Sequence, residues 1–232
     1  MFAGGLAIIT AVFNALNVES MRVADGALRE GLLYDMIGRY TDEDARERSI
    51  RSMAARFHVD REQAERVEQT CIDFLRQVDG AWGLADPLAE GVLRWAARLH
   101  EIGLDISHSS HHKHAAYLLE HADLPGFPRE EQRLLACVVG AHRRKVALER
   151  ADELVPPWHT LALYLIVVMR LAVLLHRGRS RAALPQIRLA PKGRSLELRF
   201  PRGWLSEHAL TRADLDQEVD FLKAVDFRLR VY

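Results

Sequence analysis

The strongest constraint on the fold is the stretch from about residue 40 to residue 181, where apolar residues recur at helical spacing and no strand pattern appears. Asp60 is a suitable N-cap for a helix over residues 61–78. One face of that helix carries Ala64, Val67, Cys71, Phe74 and Leu75. Further helices are predicted over residues 88–101, 107–120, 129–142 and 157–176. We therefore predict a helical domain over residues 38–182.

The chain after this stretch changes its period. Residues 186–189 and 195–200 alternate between apolar and polar side chains around a Pro-Lys-Gly turn, which predicts a hairpin. Thr211, with Asp214 three residues later, predicts the start of a helix that ends near Ala224. Residues 227–231 alternate again and predict a closing strand. The simplest interpretation is a small β-β-α-β domain over residues 183–232.

The first 37 residues are small and apolar, and they predict a helix, a short strand, an Asp25-Gly26 turn and a second helix. These elements cannot form a core alone. They are the end of an α/β domain or an extra layer on the helical part. The predicted fold class is therefore mainly α.

Charge is unevenly distributed along a chain that is neutral overall, with 32 Lys and Arg against 32 Asp and Glu. Between residues 140 and 205 there are 13 basic residues and 4 acidic ones. Such a separation creates a local positive field that attracts an anionic partner.

The remaining composition favours a cytoplasmic protein. Cys71 and Cys137 lie among apolar helical residues, which predicts buried, reduced thiols. The apolar start has no basic segment before it, so we do not interpret it as a signal peptide. The longest apolar run, residues 161–175, contains Arg170 and is short for a membrane span.

Histidine is concentrated in one place, since six of the 11 histidines lie between residues 100 and 121. Solvated imidazoles, a metal site and an anion site are the three interpretations. The segment Leu99-His-Glu-Ile-Gly103 resembles the His-Asp-Ile-Gly signature of HD-domain phosphohydrolases, which hold a divalent metal. The resemblance fails where Gln63, Glu101 and Arg170 replace ligands of that family. It implies an HD-like fold without its metal site and with His100 as a core histidine.

The anion interpretation is the stronger one, with a solvated basic face as its alternative. One predicted helix ends at the basic run His142-Arg-Arg-Lys145. Another begins at the His-rich segment His111-His-Lys-His114, where free backbone N–H groups favour phosphate. Arg177, Arg179 and Arg181 would extend the basic surface. The predicted phosphate-binding residues are His111, Lys113, His114, His142, Arg143, Arg144 and Lys145.

Other chemistries find little support in the sequence. No aromatic residues are interleaved with these cations, so stacking of nucleic-acid bases is disfavoured and DNA is not an expected partner. No Gly-x-Ser-x-Gly motif, Walker loop or Cys/His nucleophile motif occurs. We predict no catalytic residue and no metal ligand in this chain.

Two blocks of sequence resemble the Ppx/GppA family of exopolyphosphatases and guanosine pentaphosphatases. The first is Ala3-Gly-Gly-Leu-Ala-Ile-Ile9 with residues 22–32. The second is residues 93–104, continued by residues 106–109, 113–117 and 123–127 and by His142-Arg-Arg-Lys145. The match also includes Phe200-Pro-Arg-Gly-Trp204. Ala3 departs from the family, which usually has proline before the paired glycines.

The resemblance implies a specific place in a larger protein. Members have two actin-like domains that hold a catalytic Glu and Mg²⁺, followed by an HD-like domain and a small α+β domain. Residues 1–37 would be the end of the second actin-like domain, with Gly4 and Gly5 in its last nucleotide- and phosphate-binding loop. The rest would bind inorganic polyphosphate or guanosine pentaphosphate and support a homodimer, without cofactor or catalytic centre. An autonomous HD metal phosphohydrolase and a non-enzymatic dimerisation module remain as alternatives.

Overall fold

A computed structural model describes residues 2–18, 20 and 42–232, which form two compact units, Met1–Asp42 and Glu43–Tyr232. The first unit contains helix α1 (Phe2–Leu16). This helix begins four residues earlier than the sequence predicts and includes Gly4 and Gly5, so the loop expected for the two glycines is wrong. The strand, turn and second helix that we predict after residue 20 lie outside the described residues.

The second unit begins with a group of helices, as predicted. They are α2 (Asp42–Arg56), α3 (Arg61–Trp82), α4 (Pro87–Leu99), α5 (His111–His121), α6 (Arg129–Gly140), α7 (Glu149–Asp152) and α8 (Trp158–Leu175). A 3-10 turn (Ile102–Asp105) joins α4 to α5.

Local chemistry accounts for the boundaries of α3. The Asp60 side chain accepts a hydrogen bond from the Gln63 amide at 3.1 Å, which confirms the predicted N-cap. That bond is the main reason why the pKa of Asp60 lies below its usual value. The helix ends at Trp82 and is capped by Gly83, whose φ of 68° is the left-handed conformation that glycine tolerates best.

Helix α8 lies at the centre of the helical part. It packs against α3, α4, α6 and α7. By length and composition alone it could cross a membrane, but 56% of its 18-residue apolar stretch is buried inside the protein. Its central residues from Leu165 to Ala172 are all buried, including Arg170. The apolar run is therefore explained by packing in the core.

A three-stranded sheet follows the helices, in the predicted order of elements. The strands are β1 (Arg188–Pro191), β2 (Ser195–Arg199) and β3 (Arg228–Val231), with α9 (Trp204–Glu207) and α10 (Ala209–Lys223) before β3. The order is β1-β2-β3, with β1 antiparallel and β3 parallel to β2. The predicted cap at Thr211 is wrong, because α10 already begins at Ala209.

The sheet and the helices share one hydrophobic core. The Trp82 ring stacks on Tyr164 at 4.8 Å between centroids and meets Phe227 edge-on at 5.9 Å. The Trp82 indole N–H also donates to the Gly193 carbonyl in the hairpin turn. This packing supports a mainly helical fold with a small sheet, while the domain boundary near residue 182 stays a prediction.

Candidate functional site

Four histidine rings, which we call the histidine cluster, converge inside the helical part. His100 follows α4, His111 and His112 begin α5, and His142 follows α6. Ring centroids lie 5.3 Å apart for His100 and His142, 5.5 Å for His111 and His142, and 6.1 Å for His112 and His142. All four residues are buried, with at most 7% of their surface exposed.

Backbone carbonyls fix the protonation pattern of two of these rings. Nδ1 of His100 lies 2.7 Å from the Ala97 carbonyl oxygen, and Nδ1 of His142 lies 2.5 Å from that of Val139. Since a carbonyl oxygen only accepts, both Nδ1 atoms donate and both Nε2 atoms are unprotonated in the neutral rings. His142 Nε2 is buried and finds no hydrogen-bond partner among the described residues.

His111 is bound to an arginine. The Arg143 guanidinium donates from Nη1 to Nε2 of His111, so this Nε2 is the unprotonated nitrogen. Nδ1 of His111 and Nδ1 of His112 are buried without a well-formed hydrogen bond in the described part of the chain, although the nearby backbone of His100 partly opposes the fall in the pKa of His111. The cluster therefore contains polar atoms that the protein itself leaves unsatisfied, which is unusual for buried groups.

Burial keeps the cluster uncharged near neutral pH. It lowers the pKa of His111 and of His112 to about 4, and nearby Arg143 is the next cause in both cases. Burial also lowers the pKa of His100 and holds that of His142 well below its usual value. Removing an imidazolium from water is costly, and neighbouring cations add to that cost.

A set of cations surrounds this neutral cluster. Lys113, Arg143, Arg144 and Lys145 form no ion pair with any carboxylate that the structure describes, and all but Arg143 are exposed. Burial, Arg144 and then Arg177 lower the pKa of Arg143. Lys113, Arg143 and Arg144 also act on His112, so their charges lie near one imidazole. The arrangement is suited to a multiply charged anion.

A buried arginine supports the segment that carries these cations, residues 141–145, which we call the basic turn. Arg170 on α8 donates to the carbonyl oxygens of Ala141 at 2.6 Å and Arg144 at 2.7 Å. Glu218 on α10 accepts two hydrogen bonds from the same guanidinium, at 2.5 and 2.8 Å. Arg144 has a φ of 62°, a conformation that costs free energy outside glycine, and the Arg170 contacts help to hold it.

The predicted phosphate-binding residues are brought together only in part. His111, Lys113, Arg143 and Arg144 lie around the cluster, and His142 belongs to it but is buried. Lys145 is exposed in the basic turn, and His114 is half-buried on α5. Gly4 and Gly5 belong to the other unit.

The expected extension of the basic surface is largely neutralised. Arg177 pairs with Asp214 at 2.5 Å, and Arg181 pairs with Glu62 at 3.0 Å. Arg179 binds both Asp60 and Glu101. These three arginines stabilise contacts within the protein and offer less free charge than the sequence indicates.

Sequence reasoning missed two functional candidates, His112 and Arg170. His112 belongs to the His-rich segment of the predicted anion site but is not among the predicted phosphate-binding residues, although the adjacent histidine pair at the start of a helix was the available signal. The sequence indicated only that Arg170 replaces a metal ligand of the HD family, whereas in the structure its charge is balanced by Glu218. Arg170 and Glu218 lie 48 positions apart, and no sequence motif predicts their contact.

The arrangement does not fit a metal ion. Among residues 2–18, 20 and 42–232, no group of three or more His, Cys, Asp or Glu side chains is placed to hold one. Arg143 binds the free nitrogen of His111, and Arg179 holds the Glu101 carboxylate at 2.6 Å. Gln63 donates to the His176 carbonyl instead of facing the cluster. These contacts do not favour the alternative of an autonomous HD metal phosphohydrolase.

Gly103 explains how α5 can place His111 so close to the end of α4. A Cβ at this position would lie 2.0 Å from the His111 carbonyl oxygen and 2.8 Å from the Ala115 amide nitrogen. We expect Gly103→Ala to destabilise the protein by about 1–3 kcal/mol, because the backbone must move to relieve the overlap. Urea unfolding measures this loss. Gly80→Ala, which meets no atom within 4 Å, is the control, and equal stabilities of the two variants would contradict the close approach.

The site thus belongs to a mainly helical protein that places uncompensated cations around a neutral imidazole cluster. Comparisons with known proteins identify its family. Residues 45–219 match the model of Ppx/GppA phosphatase domain III, and residues 1–40 match the model of the Ppx/GppA phosphatase family. The chain belongs to the Ppx/GppA phosphatase family.

Two curated relatives have the same name, guanosine-5′-triphosphate,3′-diphosphate pyrophosphatase. The protein from Aeromonas salmonicida (strain A449) is 37% identical over 220 residues, and that from Aeromonas hydrophila subsp. hydrophila is 38% identical over 220 residues. Each alignment covers 95% of this chain but only 44% of the relative. The chain therefore spans less than half the length of the curated relatives that it matches.

Proposed function

We propose that this chain is the C-terminal region of an exopolyphosphatase or guanosine pentaphosphatase, and that it binds the phosphate chain of the substrate at the basic turn. The observation that carries the proposal is a set of cations without carboxylate partners, of which Lys113, Arg143 and Arg144 lie near buried, neutral histidines. A linear polyphosphate presents closely spaced oxyanions, which match arginine and lysine donors. Guanosine pentaphosphate, a substrate that the relatives' name suggests, offers shorter phosphate groups of the same chemistry.

The catalytic glutamate and the Mg²⁺ of this family are proposed to belong to the part of the relatives that this chain does not cover. In support, the described residues do not fit a metal ion, and the carboxylate beside the cluster is engaged by an arginine. A cytoplasmic location and a homodimer complete the proposal. The buried free thiols Cys71 and Cys137 suit a reducing compartment.

Direct binding measurements test the proposal. Long-chain polyphosphate is titrated into the 232-residue chain at several salt concentrations. We expect Arg143→Ala/Arg144→Ala to weaken binding roughly 10- to 100-fold, since each hydrogen bond to a charged group contributes about 1.5–3 kcal/mol and the two losses overlap. The dependence of log affinity on log salt should also become shallower by about one unit per cation removed.

Controls separate this site from general charge effects. Arg76 is an exposed arginine on α3 that pairs with Asp73 at 3.7 Å, so Arg76→Ala should leave affinity nearly unchanged. A flat salt response, or equal losses in both variants, would contradict a phosphate site at the basic turn. Release of phosphate is assayed in Mg²⁺ and Mn²⁺, where robust turnover by this chain would contradict the proposed location of the catalytic centre. Light scattering reports the dimer.

A further inference from the structure

The contact between Arg143 and His111 gives the cluster a chemical role of its own. Arg143 donates to Nε2 of His111, so one guanidinium of the proposed phosphate site is already engaged by a neutral imidazole. The contact exists only while that nitrogen carries no proton, because both groups would otherwise be donors. Occupation of the site by an anion and protonation of His111 therefore influence each other.

We propose that His111 takes up a proton from solvent when a phosphate chain binds, which releases Arg143 to the phosphate oxygens and makes binding tighter as the pH falls. This inference rests on the proposed function. In the free protein the contact holds Arg143 on His111. In the bound protein the oxyanions accept hydrogen bonds from Arg143, and the His111 imidazolium becomes a further cation beside them. No covalent bond changes, and the proton comes from the buffer.

The surrounding charges determine the direction of this effect. The charges that act on His111 and His112 belong to cations or to other histidines, and the Glu101 carboxylate beside His100 is bound by Arg179. The neighbouring titratable and charged groups are His100 and Glu101 after α4, Lys113 on α5, His142, Arg143 and Arg144 in the basic turn, Arg170 with its partner Glu218, and Arg177 and Arg179 after α8.

An anion reverses the balance at His111. In the unliganded protein, burial and Arg143 hold the pKa of His111 at about 4, compared with an ordinary value of 6.5. A bound oxyanion stabilises the imidazolium and raises this pKa. Affinity for the phosphate chain is then greatest at pH values below the pKa of His111 in the unliganded protein. It declines as the pH rises through the higher pKa that His111 has in the complex. Between pH 5.5 and pH 7.5 the protein should therefore bind more tightly at the lower pH.

His111 is better suited to this role than His100 or His142. Those two rings are 2% exposed, and each gives its Nδ1 proton to a backbone carbonyl inside the core. His111 instead begins α5 next to the exposed Lys113, and its Nδ1 has no well-formed hydrogen bond among the described residues. It is the cluster member that contacts one of the proposed phosphate-binding cations directly.

Calorimetry of long-chain polyphosphate binding tests the inference. Titrations at pH 5.5, 6.5 and 7.5, each in two buffers of different ionisation enthalpy, give the protons taken up per site. We expect net uptake, with affinity rising by up to about tenfold per pH unit. Long chains are chosen because only their end groups titrate in this range. In His111→Gln, the amide oxygen can still accept from Arg143 but cannot be protonated, so uptake and pH dependence should disappear.

The matched control is His121→Gln, which changes an exposed histidine on the same helix and should leave proton uptake intact. Thermal melts at each pH confirm that the variants are folded. Binding that is independent of pH, or pH dependence that survives in His111→Gln, would overturn the inference and leave the proposed function standing. Absence of binding by the unsubstituted chain at every pH would overturn both.

Discussion

Glu218→Leu should destabilise the protein by about 3–5 kcal/mol, because it leaves the buried charge of Arg170 without a partner. The two side chains are 1% and 6% exposed, and the carboxylate accepts from both Nε and Nη2 of the guanidinium. Burial raises the pKa of Glu218 while Arg170 opposes that rise, as expected for a carboxylate held by one arginine. Urea unfolding at pH 7.5 measures the loss.

The double variant Arg170→Met/Glu218→Leu distinguishes loss of the pair from exposure of one unpaired charge. It should recover much of the stability, because both charges are removed and the side chains have similar volumes. Recovery should be incomplete, since the carbonyl oxygens of Ala141 and Arg144 lose their donor. A single variant as stable as the original protein would show that Arg170 finds another partner and does not depend on Glu218.

The double variant also separates stability from binding. Arg170 orders the basic turn, so polyphosphate affinity should fall even where stability is recovered. This makes Arg170 a positioning residue for the proposed site. Arg170 stands where the HD resemblance places a metal ligand, and in the structure it organises the neighbouring basic turn.

Local chemistry made much of the fold predictable. The Asp60 cap and the apolar face from Ala64 to Leu75 are properties of residues close in sequence, and the structure confirms both. The hairpin around residues 191–193 was predictable for the same reason. The predicted cap at Thr211 was wrong because α10 already begins at Ala209, and the Arg212 amide donates to the His208 carbonyl oxygen.

The site was less predictable because its decisive contacts are distant in sequence. Arg143 meets His111 across 32 positions, and Arg170 meets Glu218 across 48. The sequence indicated a basic surface but could not show which cations are neutralised. Arg179, for example, is engaged by Asp60 across 119 positions. Nor could it show that His111 and His112 are buried, since the start of a polar helix is usually exposed.

The protein should lose stability steeply as the pH falls from about 6.5 towards 4. Burial lowers the pKa of His111, His112 and His176 to about 4, and it also lowers the pKa of His100 and His142. In this range the unfolded chain binds protons that the native protein does not bind. The contribution of these histidines to stability is therefore complete above their pKa in the unfolded chain, near 6.5. It declines as the pH falls towards their lower pKa values in the folded protein.

The size of the effect follows from the number of such groups. Each histidine that is neutral in the native state and charged in the unfolded state contributes at most about 1.4 kcal/mol per pH unit. Several acting together could remove most of the stability of a small protein, which is about 5–15 kcal/mol. Urea midpoints at pH 7.5, 6.5, 5.5 and 4.5 give the slope. Ligand-free protein is required, since a bound phosphate chain would oppose the loss.

His176→Gln isolates one contribution outside the proposed site. The His176 ring lies 2.8 Å from the Thr70 hydroxyl, a contact that a glutamine amide can replace without carrying a charge. The variant should therefore lose less stability on acidification than the original protein, by up to about 1.4 kcal/mol per pH unit. His121→Gln, at an exposed position, should keep the original slope. Identical slopes in all three proteins would mean that His176 already titrates in the native state and that its burial does not oppose protonation.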